Sequence, residues 1–141
     1  LKLGLFGILR ILLPILPTPA AEFSEFWGPA LGAIAIVYGS LIALAQNDLR
    51  LLLAYGSLGH VGFITMGLFS LTEEGLSGAT IQMFNHGITT AAMFLLIAML
   101  MRRRPDFDWS TRPSGLTGSF PILASMFLFF TIAGAGMPGL N

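Results

Sequence analysis

The chain alternates long runs without a single charged residue with short segments that carry nearly all of its charges. Four uncharged runs, of 22, 22, 27 and 29 residues, follow Glu25, Arg50, Glu74 and Arg112. About 20 apolar residues in an α-helix cross a hydrocarbon layer of roughly 30 Å. The runs therefore predict membrane-spanning helices. Transmembrane β-strands need strict alternation of apolar and polar residues, and stretches such as 91–101 are apolar on every side.

The composition excludes most soluble classes of protein. Charged residues make up 10% of the 141 residues and hydrophobic residues 55%, whereas a soluble domain is about 25% charged. A small soluble fold exposes too much of its surface to hide that much apolar area. The net charge is zero, so there is no basic surface for nucleic acid. The absence of cysteine excludes disulfides, thiolate metal sites and cysteine nucleophiles.

The runs predict an all-α fold, a polytopic transmembrane helix bundle with about four spans and part of another. The predicted helices cover residues 1–16, 27–46, 51–71, 76–101 and 120–141. Turn-forming residues separate them. Because the chain begins with Leu1 and ends inside an apolar run, we expect residues 1–141 to be a fragment of a larger membrane domain.

The last predicted helix contains helix-weakening residues near its end, namely Gly136, Pro138 and Gly139. Proline removes a backbone donor, and glycine weakens the helix around it. The backbone groups freed in this way must face protein or a water-filled cavity rather than lipid. We therefore predict a helix break at Gly136–Asn141, of the kind that transporters have at an ion pathway. A simple proline kink is the alternative.

The connecting segments differ in charge from one face of the predicted bundle to the other. One face receives the acidic residues Glu22, Glu25, Glu73 and Glu74, with Arg10 nearby. The opposite face receives the arginines Arg50, Arg102, Arg103, Arg104 and Arg112. Since basic residues accumulate in cytoplasmic loops, we predict that the Arg102–Arg104 loop is cytoplasmic.

Three titratable side chains are predicted to lie at one depth in the bilayer. Lys2 lies about 20 Å before the proline cluster that ends its helix, and His60 and His86 lie about 15 Å into their own spans. Ionisable groups are costly there and usually face an interior cavity. Histidine exchanges protons near neutral pH, and desolvation disfavours a charged lysine, so we infer a proton relay. The alternatives are neutral histidines that only join helices and a lysine that extends to the membrane surface.

Small and polar residues flank the predicted relay. The supporting polar residues, at helical spacing from the two histidines, are Ser57, Gln82, Thr89 and Thr90. Either threonine hydroxyl can instead bond to its own helix backbone. Glycines at positions 56, 59 and 62 predict close helix packing, and they also leave room for water beside His60.

Six segments carry an ordered set of motifs: Lys2–Arg10 (KLGLFGILR), Tyr38–Ser40, Ala45–Arg50, Leu53–Phe63 (LAYGSLGHVGF), Gln82–Gly87 (QMFNHG) and Gly136–Asn141 (GMPGLN). Together they resemble the antiporter-like, proton-translocating membrane subunits of respiratory complex I. The resemblance runs through the whole chain and is weakest over residues 102–118.

The resemblance implies a role for each matching residue. Lys2 is similar to a family lysine that relays protons along the hydrophilic axis in the middle of the membrane, and His60 and His86 are similar to histidines further along that path. Residues 136–141 match a break in a later helix. NADH, flavin, iron–sulfur clusters and quinone would bind in partner subunits, with no cofactor and no metal in this chain. The implied partners are the other membrane-arm subunits, the lipid bilayer and protons, in a bacterial inner membrane.

Other assemblies remain as alternatives. Sodium–proton antiporters of the multisubunit Mrp type and membrane-bound hydrogenases share these motifs, and neighbouring genes would distinguish them from complex I. A structural membrane scaffold, whose polar residues only hold helices together, is a third possibility. Proton pumping by variants at Lys2, His60 and His86 would distinguish a relay from a scaffold.

Overall fold

The computed structural model describes residues 2–104 and 116–137. The elements in these ranges are α1 (Lys2–Gly7), a π-helical turn (Ile8–Leu12), α2 (Leu13–Ile15), α3 (Pro17–Glu25), α4 (Trp27–Leu44), α5 (Leu49–Phe69), α6 (Glu73–Arg103), α7 (Leu116–Ser119) and α8 (Pro121–Gly134). The described residues contain no strand. The all-α prediction is therefore confirmed.

Three helices, α4, α5 and α6, are long and apolar enough to cross a membrane, and α8 is a shorter apolar helix. The segments Lys2–Ile15 and Pro17–Glu25 make a fourth span if the bent pair counts as one. Large apolar side chains cover the outside of the bundle, for example Leu44, which is 84% exposed, and Ile122, which is 72% exposed. Soluble proteins rarely expose apolar surface on this scale. The chain is thus an integral membrane protein.

The start of the chain differs from the sequence prediction at the proline cluster. The first helical segment ends at Ile15, as expected, but Pro17 then begins α3, which is bent by 119° from that segment. Proline suits the first turn of a helix because the N–H that it lacks has no partner there. The cluster predicts only a turn, so α3 corrects that prediction.

The two long helices at the centre of the bundle begin earlier than the apolar runs predict. Helix α6 begins at Glu73 rather than at residue 76, because the Thr72 hydroxyl accepts a hydrogen bond from the Gly75 N–H at 3.0 Å. Helix α5 begins at Leu49 rather than at residue 51, because the Asp48 carboxylate caps its first turn. Capping side chains, rather than the first apolar residue, therefore define both helix starts.

The end of α8 is a second correction. The sequence predicts a helix over residues 120–141 with a break from Gly136, whereas α8 ends at Gly134. Gly136 then adopts a left-handed conformation, with φ of 83°, which is typical of a glycine that follows a helix. Pro138 and Gly139, the other two residues of the predicted break, lie outside the described residues.

Helices α4 and α5 pack so closely that their backbones touch at glycines. A Cβ atom at Gly39 would lie 2.9 Å from the Gly59 nitrogen, and one at Gly62 would lie 2.5 Å from the Gly32 carbonyl oxygen. In a membrane, small residues of this kind let backbones approach and gain van der Waals contact. The glycine spacing on α5 therefore serves packing against α4.

Two apolar clusters attach the remaining helices to the central pair α5–α6. At the end of the bundle that carries Glu73 and Glu74, which we call the acidic end, α1 packs on both helices through a cluster of Leu5, Ile64, Leu68 and Ala79. Near the opposite end, which carries Arg102 and Arg103 and which we call the basic end, α8 packs on α6 through Leu96, Leu100 and Leu123. The interval between these clusters is the middle of the bundle, where the candidate site lies.

Candidate functional site

Two histidines face each other between α5 and α6. The ring centroids of His60 and His86 are 4.6 Å apart, and the ring planes make an angle of 34°. The two residues are 26 positions apart in the sequence, so only the antiparallel pairing of α5 with α6 brings them into contact. The structure thus brings together two of the three residues that the sequence proposes as a relay.

His60 has a hydrogen-bond partner on the opposite helix. Its Nδ1 atom lies 3.4 Å from Nε2 of Gln82, which is a long bond between α5 and α6. If the amide N–H donates, Nδ1 is the acceptor and the neutral imidazole carries its proton on Nε2. Gln82 is therefore in a position to select the tautomer of His60.

His86 is held by its own helix. Its Nδ1 atom lies 2.7 Å from the Thr90 hydroxyl, four residues along α6. The side chain is buried, with 5% of its surface exposed. Among the described residues, its Nε2 atom is buried without a hydrogen-bond partner, and the backbone of Ser57 on α5 lies close to the imidazole. A buried polar atom of this kind costs about 1–3 kcal/mol unless a water or a proton acceptor reaches it.

The other hydroxyl groups near the histidines bond to their own backbone. The Ser57 hydroxyl donates to the Ala54 carbonyl at 2.7 Å, and the Thr89 hydroxyl donates to the Asn85 carbonyl at 2.9 Å. Of the two threonines that the sequence leaves open, Thr90 contacts a histidine and Thr89 bonds to the helix. Ser57 and Thr89 nevertheless line the same cavity as both histidines.

Lys2 lies at the start of α1, the helix that packs on α5 and α6. It is close enough for its charge to act on both imidazoles. Leu5, one turn further along α1, packs against Ile64 on α5. Among the described residues, the Lys2 ammonium has no ion-pair partner, so no carboxylate there balances its charge.

Two cavities meet at His60. The first, which we call the acidic-end cavity, has a volume of about 450 Å³ and extends from Glu74 at the start of α6 to Gln82 and His60. The second, which we call the basic-end cavity, has a volume of about 180 Å³ and reaches from Leu52 to His86 and Thr90. His60 and Gly134 line both cavities. His60 therefore lies where the two cavities adjoin.

Glycines make room at these cavities. A Cβ atom at Gly56, which lines the basic-end cavity, would meet no other atom within 4 Å, and the same holds for Gly78 in the acidic-end cavity. Of the three glycines around His60, Gly59 and Gly62 face α4 whereas Gly56 leaves open space. Both sequence interpretations of these glycines thus apply, each to different residues.

The acidic-end cavity is the feature that sequence reasoning missed. Its wall on α6 is formed by Glu74, Gly78 and Gln82, which follow one another at four-residue steps. This spacing on one helix face could have revealed the wall, since residues four apart lie on the same face. The end of α8 supplies the opposite wall through residues 134–136.

The described residues contain no group of three or more histidine, aspartate or glutamate side chains that could hold a metal ion. The sequence has no cysteine. Two imidazoles, an amide and a hydroxyl converge at the site; the imidazoles can take up and release protons, and the amide and hydroxyl form hydrogen bonds to them. The arrangement is therefore suited to proton exchange, and the expectation of a chain without its own cofactor stays a prediction.

The fold and the site together define a polytopic α-helical membrane protein with ionisable groups in its interior. A family model described as "NADH:quinone oxidoreductase/Mrp antiporter, TM" matches residues 1–141. The chain belongs to this family.

Similar proteins carry related names. NADH-quinone oxidoreductase subunit M of Rickettsia bellii (strain RML369-C) is 41% identical over 100% of this chain and 28% of its own length. The protein of the same name from Rhodobacter capsulatus is 41% identical over 100% of this chain and 27% of its own length. NADH-ubiquinone oxidoreductase chain 4 of Chondrus crispus is also 41% identical, over 100% of this chain and 28% of its own length. The chain thus spans little more than a quarter of the relatives that it matches.

Proposed function

We propose that the chain is a segment of a proton-translocating membrane subunit of an NADH–quinone oxidoreductase, in which Lys2, His60 and His86 relay protons between helices. The observation that carries the proposal is the contact between the imidazoles of His60 and His86, whose ring centroids are 4.6 Å apart, where two cavities adjoin. The names of the relatives support the assignment to the oxidoreductase.

Electrostatic repulsion between two protonated imidazoles makes it unfavourable for the histidine pair to hold two extra protons, so the pair is suited to passing a proton on. Two positive charges about 4 Å apart repel each other by about 4 kcal/mol at an effective dielectric constant of about 20. The pair therefore holds one extra proton far more easily than two. A proton that arrives on His60 favours the release of a proton from His86, and the reverse holds for movement in the other direction.

In this proposal, the charge state of Lys2 controls how easily either imidazole binds a proton. A charged Lys2 repels a proton on either imidazole, whereas a neutral Lys2 does not. Since the described residues offer no carboxylate partner to Lys2, its protonation acts directly on the histidine pair. Movement of a proton on or off Lys2 is thus coupled to movement of a proton through His60 and His86.

The electron-transfer chemistry belongs, in this proposal, to other subunits. The chain has no cysteine to ligate an iron–sulfur cluster, and NADH, flavin and quinone would bind to its partners. Those partners are the neighbouring membrane-arm subunits and the surrounding lipid. We place the subunit in a bacterial inner membrane, with the Arg102–Arg104 end on the cytoplasmic side and the end with Glu73 and Glu74 on the opposite side.

A second candidate function is a subunit of an Mrp-type antiporter, because the description of the matching family includes such proteins. The two functions differ in their energy source. An oxidoreductase subunit moves protons when NADH is oxidised, whereas an antiporter subunit exchanges sodium for protons without any redox reaction. Sodium-dependent proton movement in vesicles without NADH would favour the antiporter.

The test of the relay uses the whole subunit in its assembled complex, in inverted membrane vesicles. We expect the double variant His60→Ala, His86→Ala, and separately Lys2→Met, to lower the number of protons moved per NADH oxidised. Thr80→Val is the matched control, because the Thr80 hydroxyl only bonds to the Leu76 carbonyl of α6. A normal proton-to-electron ratio in both relay variants, with normal assembly, contradicts the relay and favours the structural scaffold.

A further inference from the structure

We propose that Glu74 is the proton-exchange group at the mouth of the acidic-end cavity, through which His60 communicates with the aqueous phase. This inference rests on the proposed proton relay and adds the path by which protons reach or leave it on one side. Glu74 lies in the first turn of α6, at the end of the bundle where the acidic residues gather.

The acidic-end cavity extends from the start of α6 to His60. It runs along α6 from Glu74 to Gln82, which is eight residues or about 12 Å of helix. At roughly 30 Å³ for each water molecule, about 450 Å³ accommodates on the order of ten waters. The cavity thus covers the distance between the helix end and His60 with enough volume for a continuous chain of water.

The walls of the cavity are mostly small or apolar. Between Glu74 and Gln82 the wall of α6 consists of Gly75, Gly78 and Ala79. A Cβ atom at Gly78 would meet nothing within 4 Å, so this part of the wall leaves space open. Among the described residues that line the cavity, the polar side chains are the carboxylate of Glu74 at one end and the Gln82–His60 pair at the other.

One carboxylate among several lines the acidic-end cavity. Four described acidic residues lie near this end of the bundle, and Glu74 is the one that lines the cavity; the others are Glu22, Glu25 and Glu73. Glu73 precedes Glu74 in the same helical turn but is not among the residues that line the cavity. Glu73 and Glu74 therefore both contribute negative charge to this helix end, but of the two it is Glu74 that lines the cavity leading to His60.

The proton transfer has a simple balance. A proton on the His60 imidazolium passes to a water in the cavity, the last water in the chain donates a proton to the Glu74 carboxylate, and the Glu74 carboxylic acid then releases a proton to bulk water. His60 ends neutral and Glu74 ends ionised, so one proton has left the relay. The same groups work in reverse for proton uptake.

The first experiment compares Glu74→Gln with Glu73→Gln in the full subunit, assembled in its complex in inverted vesicles. Both substitutions remove one negative charge from the first turn of α6, so the net charge at this end changes equally. We expect Glu74→Gln to lower the initial rate of proton translocation about tenfold. This is less than the ~100-fold loss of an enclosed acid–base group, since bulk water partly replaces an exposed carboxylate. We expect Glu73→Gln to keep the normal rate. Equal rates in the two variants contradict the inference.

The same preparations separate this inference from the relay itself. If the double variant His60→Ala, His86→Ala loses pumping while Glu74→Gln keeps it, the relay stands and only the role of Glu74 is wrong. If the double variant pumps normally, the proposed function is wrong as well. Blue native electrophoresis of each variant confirms that a loss of pumping does not come from a loss of assembly.

A second experiment tests the water content of the cavity without any measurement of pumping. The sequence has no cysteine, so Gly78→Cys introduces a single thiol into this segment of the subunit. We expect a charged, membrane-impermeant methanethiosulfonate reagent, added from the acidic end, to label this thiol. Gly87→Cys on the same helix is the control, because it also meets no atom within 4 Å but lines neither cavity. Labelling of position 78 no faster than position 87 contradicts the inference.

Discussion

The Gln82 amide lies 3.4 Å from Nδ1 of His60, and this contact joins α6 to α5 beside the histidine pair. The bond orients the imidazole and favours the tautomer whose Nε2 carries the proton. Gln82 is therefore a positioning residue, since it would act on protons only through His60.

Replacement of Gln82 tests this positioning role. A hydrogen bond of this type contributes about 0.5–1.5 kcal/mol, so we expect Gln82→Leu to slow proton translocation about threefold to tenfold. Gln82→Glu keeps the length of the side chain, but an ionised carboxylate only accepts hydrogen bonds; it would favour the tautomer with the proton on Nδ1 and should also slow proton translocation. Initial pumping rates in inverted vesicles measure both variants, and equal rates in Gln82→Leu and the unmodified subunit would show that His60 does not need this partner.

The two adjacent threonines of α6 form a natural pair for mutation. Thr90→Val removes the partner of the buried His86 Nδ1 atom, which costs about 1–3 kcal/mol. Thr89→Val removes only a bond to the helix backbone and should cost less. We expect Thr90→Val to lower both the heat stability of the assembled complex and its pumping rate. A larger effect from Thr89→Val than from Thr90→Val contradicts the assigned contacts.

The glycines of α5 predict opposite responses on opposite faces of the helix. Gly62→Val forces a side chain against the Gly32 carbonyl of α4, and overpacking of this kind costs about 1–3 kcal/mol. Gly56→Ala meets no atom within 4 Å and should assemble normally. The amount of complex recovered from membranes measures the difference. Normal recovery of Gly62→Val would mean that α4 and α5 are further apart than described.

The turn after α8 depends on a backbone conformation that favours glycine. Gly136 has φ of 83°, and a residue with a Cβ atom pays about 1 kcal/mol or more to adopt the left-handed region. We expect Gly136→Ala to reduce the heat stability of the complex, and Gly136→Asn to reduce it less, because asparagine tolerates this conformation better. Identical stability of the two variants would argue against the turn.

The orientation of the bundle in the membrane is testable with two single cysteines. Asn47→Cys lies in the connection between α4 and α5, and Leu71→Cys lies in the connection between α5 and α6. The charge asymmetry predicts that position 47 is cytoplasmic and position 71 is on the opposite side. An impermeant thiol reagent should therefore label position 47 in inverted vesicles and position 71 in intact spheroplasts. The reverse pattern would overturn the predicted orientation.

Sequence alone determined the elements whose cause is local. The uncharged runs identify the helices α4, α5 and α6, because a bilayer of fixed thickness demands a fixed length of apolar chain. The depth of His60 and His86 follows from the same count of residues. The motifs around Lys2, His60 and His86 also give the family resemblance, which the comparison with known proteins confirms.

The tertiary structure decided what depends on contacts between distant residues. Depth along a helix does not fix rotation around it, so only the packing of α5 on α6 reveals that His60 meets His86 and Gln82. The spacing of Glu74, Gly78 and Gln82 marks one wall of the acidic-end cavity, but only the packing of α5, α6 and the end of α8 shows that a cavity forms there. The bend at Leu16 was also decided by the tertiary structure, since proline is equally compatible with a turn and with the first turn of a new helix. Local sequence thus sets where each helix lies in the membrane, and side-chain packing between helices sets which polar groups meet.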